Sequence, residues 1–388
     1  MRRIIALTLM AAMLLVVGCE RADDDDDRPA LTEPTDERAE RERDLDRDIE
    51  RDIETPDFAP EPILEQLAML PAPASALTIS PNGRVFIAMT GDDTQQIKLV
   101  ELRANGEQRP YPAERWHTGS RNADRSLFAP RALRIDNASR LWVLDSGRQD
   151  DPGMAADGVK LVAINLGNDE VEEVVPLDTA FPAAANRPVD FAIDGELGVA
   201  YIVDAGEPAL VMVDLYTGEV QRLLENDAAL HTADGERATN IRVALSADLR
   251  YLYWQAAESP DIYRLETEAM RFPEMPAEEL ATLVELFGEP RAGSALASDD
   301  EGQLYLAGNT DDEPGLVRFT HFGVPELLFS DPRLAGASAL AVSPAGDLLV
   351  ATSVEAPAAA EADSEADEEP TDDTPAGHRL WRLAGITR

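Results

Sequence analysis

A single cysteine in 388 residues rules out any intramolecular disulfide, so the fold must be stabilised by its core and its hydrogen bonds. Lysine is nearly missing too: only Lys98 and Lys160 occur, and 75 acidic residues against 34 basic ones leave a net charge of -41. That charge repels nucleic acid and anionic head groups alike, so no nucleic-acid partner is expected. The four histidines, His117, His231, His321 and His378, stand in unrelated contexts without metal-ligand spacing. There is no GxSxG elbow, no P-loop and no GxGxxG after a strand, which removes the corresponding hydrolase, nucleotide and dinucleotide chemistries. Beyond the N-terminus no apolar run approaches the ~18 residues of a helical membrane span.

What is present begins with Arg2 and Arg3, followed by an apolar stretch that ends Leu15-Val16-Val17-Gly18-Cys19. This is the pattern of a lipoprotein signal peptide. The basic start stays on the cytoplasmic side, the apolar stretch is too short to span stably, and small Gly18 admits a peptidase that cuts before a cysteine carrying diacylglycerol. Residues 1–18 are therefore expected to be removed, and Cys19 to be the lipidation site through which the membrane becomes a partner. Glu20 stands where a retention signal would place Asp, so the expected location is the cell envelope, in the outer membrane facing the periplasm or the cell surface. Residues 19–59, with Asp23 to Asp27 and the run TDERAERERDLDRDIERDIE, have almost nothing to bury and read as a disordered charged tether. A second acidic segment, about 356–377, reads as a disordered insertion within a domain spanning 60–388.

Between these segments the chain repeats itself. The unit is an apolar strand, a polar turn and a second strand with an aromatic near its start: ALTISPNGRVFIAM, ALRIDNASRLWVLDSG, FAIDGELGVAYIVDAG, VALSADLRYLYWQA, ALASDDEGQLYLAG and ALAVSPAGDLLVATS. Successive copies begin 56, 59, 52, 52 and 44 residues apart, and each is followed by a third strand such as KLVAINL or HRLWRL. Copies one to three continue through a turn into a fourth. The pattern predicts an all-β fold, a six-bladed β-propeller with four antiparallel strands per blade and a monomeric domain. After HRLWRL only Ala384 to Arg388 remain, too few for another strand, so ILEQLAML, upstream of the first copy, is expected to close blade six. Phe86, Trp142, Tyr201, Tyr253 and Tyr305 occupy matching second-strand positions and are expected in interblade packing.

ALRIDNASRLWVLDSG, KLVAINL, RPVDFAIDGELGVAYIVDAGEPALVMVDLYTGEVQRLL and SALASDDEGQLYL resemble the major royal jelly protein and Yellow family, including its bacterial members, over residues 60–388 with a gap at the acidic insertion. The resemblance implies a six-bladed propeller with a small-molecule site at the mouth of the central channel. It implies no assigned reaction, because family members bind biogenic amines or are linked to dopachrome conversion while bacterial ones mostly lack one. A more distant resemblance is to gluconolactonase and senescence-marker propellers, metal-dependent hydrolases with Glu, Asn and Asp at the innermost strand entrances. Here only Asp190 and Asn240 match such ligands, two being too few for a dedicated calcium cage, so no metal and no cofactor is expected.

The candidate ligand site therefore lies where strand-one entrances meet the ends of second strands: Asp190, Asn240, Asp145 and Asp204, with Ser146 and Gln255 nearby. Asp145 in DSG and Asp204 in DAG are equally readable as acceptors of turn hydrogen bonds. Arginine recurs at the same entrances, as Arg131, Arg187, Arg242, Arg291 and, less closely, Arg333, a set able to clamp a carboxylate or phosphate. His231 is the one histidine placed to act as an acid or base. The readings are a binder of a small polar or aromatic molecule at the channel mouth, a metal-dependent lactonase, and a non-enzymatic scaffold using the disc face.

Overall fold

The computed structural model describes residues 62–90, 97–117, 125–147, 156–272, 275–289, 291–310, 313–354, 377–384 and 386. The segments expected to be a signal peptide (1–18) and a tether (19–59), with Cys19, and most of the 356–377 segment expected to be an insertion lie outside the described residues. The compact unit runs from Pro60 to Arg388.

Six four-stranded antiparallel sheets are arranged as blades. Blade one comprises Ala74–Ile79, Val85–Met89, Leu99–Leu102 and Gln108–Pro110, and blade two Pro130–Ile135, Arg140–Asp145, Lys160–Asn165 and Glu170–Pro176. Blade three is Pro188–Asp194, Val199–Asp204, Ala209–Asp214 and Val220–Leu223, and blade four Ile241–Leu245, Tyr251–Ala256, Tyr263–Glu266 and Glu285–Leu286. Ala295–Ser298, Leu304–Thr310, Glu313–Phe319 and Pro325–Ser330 form blade five. Blade six takes Ala337–Val342, Leu348–Val354 and Gly377–Ala384, and its outer strand is Ile63–Leu70 from the other end of the domain. That strand pairs from Ile63 with Ala384 to Leu70 with His378, so the chain closes its own ring by completing blade six.

Two outer strands escaped the repeat pattern. Blade four reaches its fourth strand only after the helices Thr267–Met270 and Ala277–Thr282, and that strand is two residues long. In blade five it starts at Pro325, where the missing N–H costs nothing at an edge.

The core is divided into six clusters, each filling the gap between successive blades. The second-strand aromatics belong to these clusters: Phe86, Trp142, Tyr201 and Tyr305 are fully buried and Tyr253 nearly so. Trp142 donates from Nε1 to Asp136 at 2.8 Å and the Tyr305 hydroxyl to Asp299 at 2.9 Å, so each aromatic also ties its blade to the preceding turn. No helix among the described residues is long and apolar enough to cross a membrane.

Candidate functional site

The site is built on an irregularity shared by four blades. The pairing of first and second strands slips between Ala74 and Ala76, Pro130 and Ala132, Pro188 and Asp190, and Ala337 and Ala339, a bulge at the channel entrance each time. A bulge leaves one residue outside the ladder and re-aims its side chain. Here the extra residues are Ser75, Arg131, Val189 and Ser338.

Arg242, from blade four, reaches across the channel and satisfies two of the carbonyls released in this way and one from blade five, where no bulge occurs. It donates to Ser75 O at 3.2 Å, Ser338 O at 2.7 Å and Ser294 O at 3.3 Å, thereby stitching blade four to blades one, six and five. Burial pushes its pKa down, the nearby Asp190 carboxylate offsets this, and Arg134 and Arg131 add to the depression. Beside it Arg134 donates to Asp190 Oδ1 at 2.7 Å and to the carbonyls of Leu133 and Val243 at 2.8 Å. Its place opposite Asp190 follows from the ring, and no local motif marks it. Between these groups the channel narrows to a cavity of about 20 Å³, room for a single water.

The acidic candidates are engaged within the fold. Asp145 is fully buried and accepts from the backbone of Phe128, Ala129 and Gly147 and from Lys160 Nζ at 2.8 Å. Gly147 of the DSG turn has φ +77° and a Cβ there would meet Asp157 O at 2.5 Å, so the motif is a backbone requirement. Asp204 likewise holds the backbone of Arg187, Gly206 and Glu207, together with Asn186 and Arg222. Asp190 spends one oxygen on Arg134 and its own blade's Phe191 N–H and the other on Val243 N–H of blade four. Gln255 donates to the carbonyls of Ser259 and Arg291. Asn240 accepts from Ile241 N–H through its oxygen, and among the described residues its amide nitrogen donates to nothing.

The arginines separate into two groups. Arg333 pairs with Asp331 and lies over the Trp381 ring at 5.4 Å, so it belongs to interblade packing. Arg242 is committed to the ring, as described. Arg131 is half-buried, donates only to Ser146 Oγ at 3.3 Å, and forms no ion pair among the described residues. Burial pushes its pKa down and the like charge of Arg187 pushes further, with Asp145 as the offset. Arg187 is exposed, and among the described residues its side chain makes one hydrogen bond, to Ala238 O at 3.0 Å, two residues before Asn240. The channel mouth therefore carries two guanidinium groups whose charge no described carboxylate neutralises directly. His231 lies elsewhere: its Nδ1 is 2.7 Å from Asp227 O, and it lines a cleft of about 400 Å³ with Tyr263 and Asp261.

Residues 129–313, from blade two to blade five, match the major royal jelly protein family. The chain carries a domain of that family. The royal jelly and Yellow resemblance thus holds over the blades that build the mouth. No curated protein matches the chain. Among solved structures, a gluconolactonase from Xanthomonas campestris is similar at 13% identity with a TM-score of 0.51, covering 83% of this chain and 89% of its own. A Bacteroides thetaiotaomicron protein of unknown function has 9% identity and a TM-score of 0.52, with 82% and 75% covered. A luciferin-regenerating enzyme has 12% identity and a TM-score of 0.50, with 83% and 95% covered. At these identities the likeness is one of fold.

A divalent cation, as in gluconolactonase-like propellers, finds little here. Among the described residues no three His, Cys, Asp or Glu side chains come together as ligands. The two matching positions, Asp190 and Asn240, have their oxygens bonded to N–H groups, and cationic Arg134 and Arg242 stand where further oxygen donors would be needed. The donor set does not fit the metal.

Proposed function

We propose that this protein is an envelope lipoprotein, anchored through Cys19, whose royal jelly and Yellow type propeller binds a small carboxylate- or phosphate-bearing molecule at the channel mouth. The observation that carries the reading is the pair Arg131 and Arg187, two guanidinium groups in like-charge proximity without a carboxylate partner among the described residues, in a chain otherwise dominated by acid. An anion placed between them accepts charge-assisted hydrogen bonds from both and relieves their repulsion. The Asn240 amide adds a neutral donor at the next entrance. Asp145, Asp190 and Asp204, which would receive an amine, are already occupied by Lys160, Arg134 and Arg222. The reading is one of binding, with no reaction assigned.

Calorimetry of the full chain with inorganic phosphate and with small mono- and dicarboxylates tests it. Arg131→Ala and Arg187→Ala should each weaken the best of these by at least tenfold, about 1.4 kcal/mol or more, while leaving the melting temperature nearly unchanged. Affinity that persists unchanged in the double variant overturns the anion reading. Mass spectrometry of the N-terminus of protein recovered from membranes checks the anchor, and a start beyond Cys19 without acyl chains rejects it.

A further inference from the structure

Strand one of each blade runs away from the mouth, so the turns joining strands one to two and three to four lie on the opposite face of the disc. On that face the fold leaves large apolar side chains uncovered. Leu197 and Tyr216 stand in the two turns of blade three, Phe322 and Val324 at the outer turn of blade five, and Phe272 after the helix that follows the third strand of blade four. Each is between 49% and 82% exposed. Among the described residues of blades one and two no large apolar side chain is exposed.

These side chains are gathered rather than scattered. A Cβ on Gly198 would meet the Tyr216 ring at 2.2 Å, so Tyr216 lies against the turn that carries Leu197. Arg271, next to Phe272, pairs at 3.3 Å with Asp194 at the start of that same turn. Gly323, between Phe322 and Val324, packs closely on Gly288 of blade four. The closing strand extends the patch: Ile63, 67% exposed, pairs with Ala384 at the same face of blade six, and there residues 1–61 join the propeller.

We infer that this apolar face lies against the bilayer, among the head groups of zwitterionic lipid, with the mouth on the opposite face open to solvent. The inference rests on the anchor at Cys19 and adds how the propeller stands on the membrane. The segment bearing Cys19 enters the propeller at Ile63, so the anchored chain arrives on this face and not at the mouth. Charge selects the lipid. Arg250, Arg264, Arg271 and Arg318, around the patch, each pair with a carboxylate, so none of the four is left for an anionic head group, and the net charge of -41 opposes one. The same charge sets two copies against each other and disfavours a dimer as the cover. Aromatic and aliphatic side chains held out on turns suit the head-group boundary, where rings settle and apolar area is removed from water.

The test uses the full chain recovered from membranes and reconstituted into phosphatidylcholine vesicles whose acyl chains are brominated near the head group. Bromolipid should quench at least about half of the fluorescence added by Phe322→Trp or Tyr216→Trp, and under about a tenth of that added by Ala233→Trp in an exposed mouth-face loop. Phe272→Ser with Val324→Ser should lower quenching at position 216 about twofold or more, with the melting temperature unchanged. Quenching at 322 and 216 no greater than at 233 overturns the inference, whether or not the N-terminus is acylated. The mass of the N-terminus decides the anchor separately: an unacylated chain that is still quenched at 322 keeps this face and rejects the anchor. A dimer in detergent that the serine variants dissociate assigns the patch to a second copy and overturns the inference.

Discussion

The two ends of one channel are lined by the same six inner strands, yet one end presents two cations that no described carboxylate pairs, and the other carries a single charged group, Arg134, already matched by Asp190. The difference begins in the backbone. At the entrances of blades one, two, three and six a bulge interrupts the ladder, and in blades one, two and six the extra residue is polar: Ser75, Arg131 and Ser338. A few residues further along, the pairing is regular, and the apolar residues of the same strands fill the interblade clusters. Polar chemistry collects where the sheet is irregular, and Arg242 with the Arg134–Asp190 pair marks the boundary.

The strongest way to break the comparison is to remove that boundary. Asp190→Ala leaves Arg134 and Arg242 without their shared anion and Val243 N–H without an acceptor, and it should cost about 3–5 kcal/mol in urea unfolding. An effect under about 1 kcal/mol would mean the layer is held by the carbonyls alone.

A control away from both ends comes next. His117 is buried, accepts from Lys98 N–H at Nδ1 and faces Tyr111 O through Nε2, and burial holds its pKa near 4. Unfolded, it takes a proton near its ordinary 6.5, so its contribution is complete above that pH, falls as pH drops toward 4, and is level below. The loss should approach roughly 3 kcal/mol, should disappear in His117→Gln, and should affect phosphate binding only through the fraction folded.

Smaller effects sharpen the contrast. Arg187→Lys keeps the charge but removes the planar fork, and should weaken carboxylate binding several-fold, less than Arg187→Ala, in calorimetry. Raising NaCl from about 0.05 to 0.5 M should reduce phosphate affinity at the mouth, because screening weakens charge-assisted binding at an exposed site. Affinity unchanged by salt would mean that the two arginines do not carry it.

Much of this architecture was legible in the chain. Six copies of a strand pair counted the blades, and the shortage of residues after Leu383 pointed to ILEQLAML as the closing strand, which pairs as expected. The outer strand of blade four was hidden because two helices intervene and only Glu285 and Leu286 pair. The site was less legible. Asp145 and Asp204 satisfy their local turns while also anchoring Lys160 and Arg222 from neighbouring strands, so a motif that looks like chemistry serves the backbone. Arg131 and Arg187 stood among five similar arginines, and composition offered no way to separate them from Arg242 and Arg333.

Strand periodicity, turn chemistry and the number of repeats are properties of neighbouring residues, so the sequence by itself determined the propeller, its six blades and the segment that closes them. Whether a charged side chain is free or spent depends on groups brought from other blades. Arg242 is neutral in its consequences because Ser75, Ser294 and Ser338 bring three carbonyls to it from other blades. Only ring closure creates that neighbourhood, and so only the tertiary structure decided which arginines remain for a ligand and where the channel is divided.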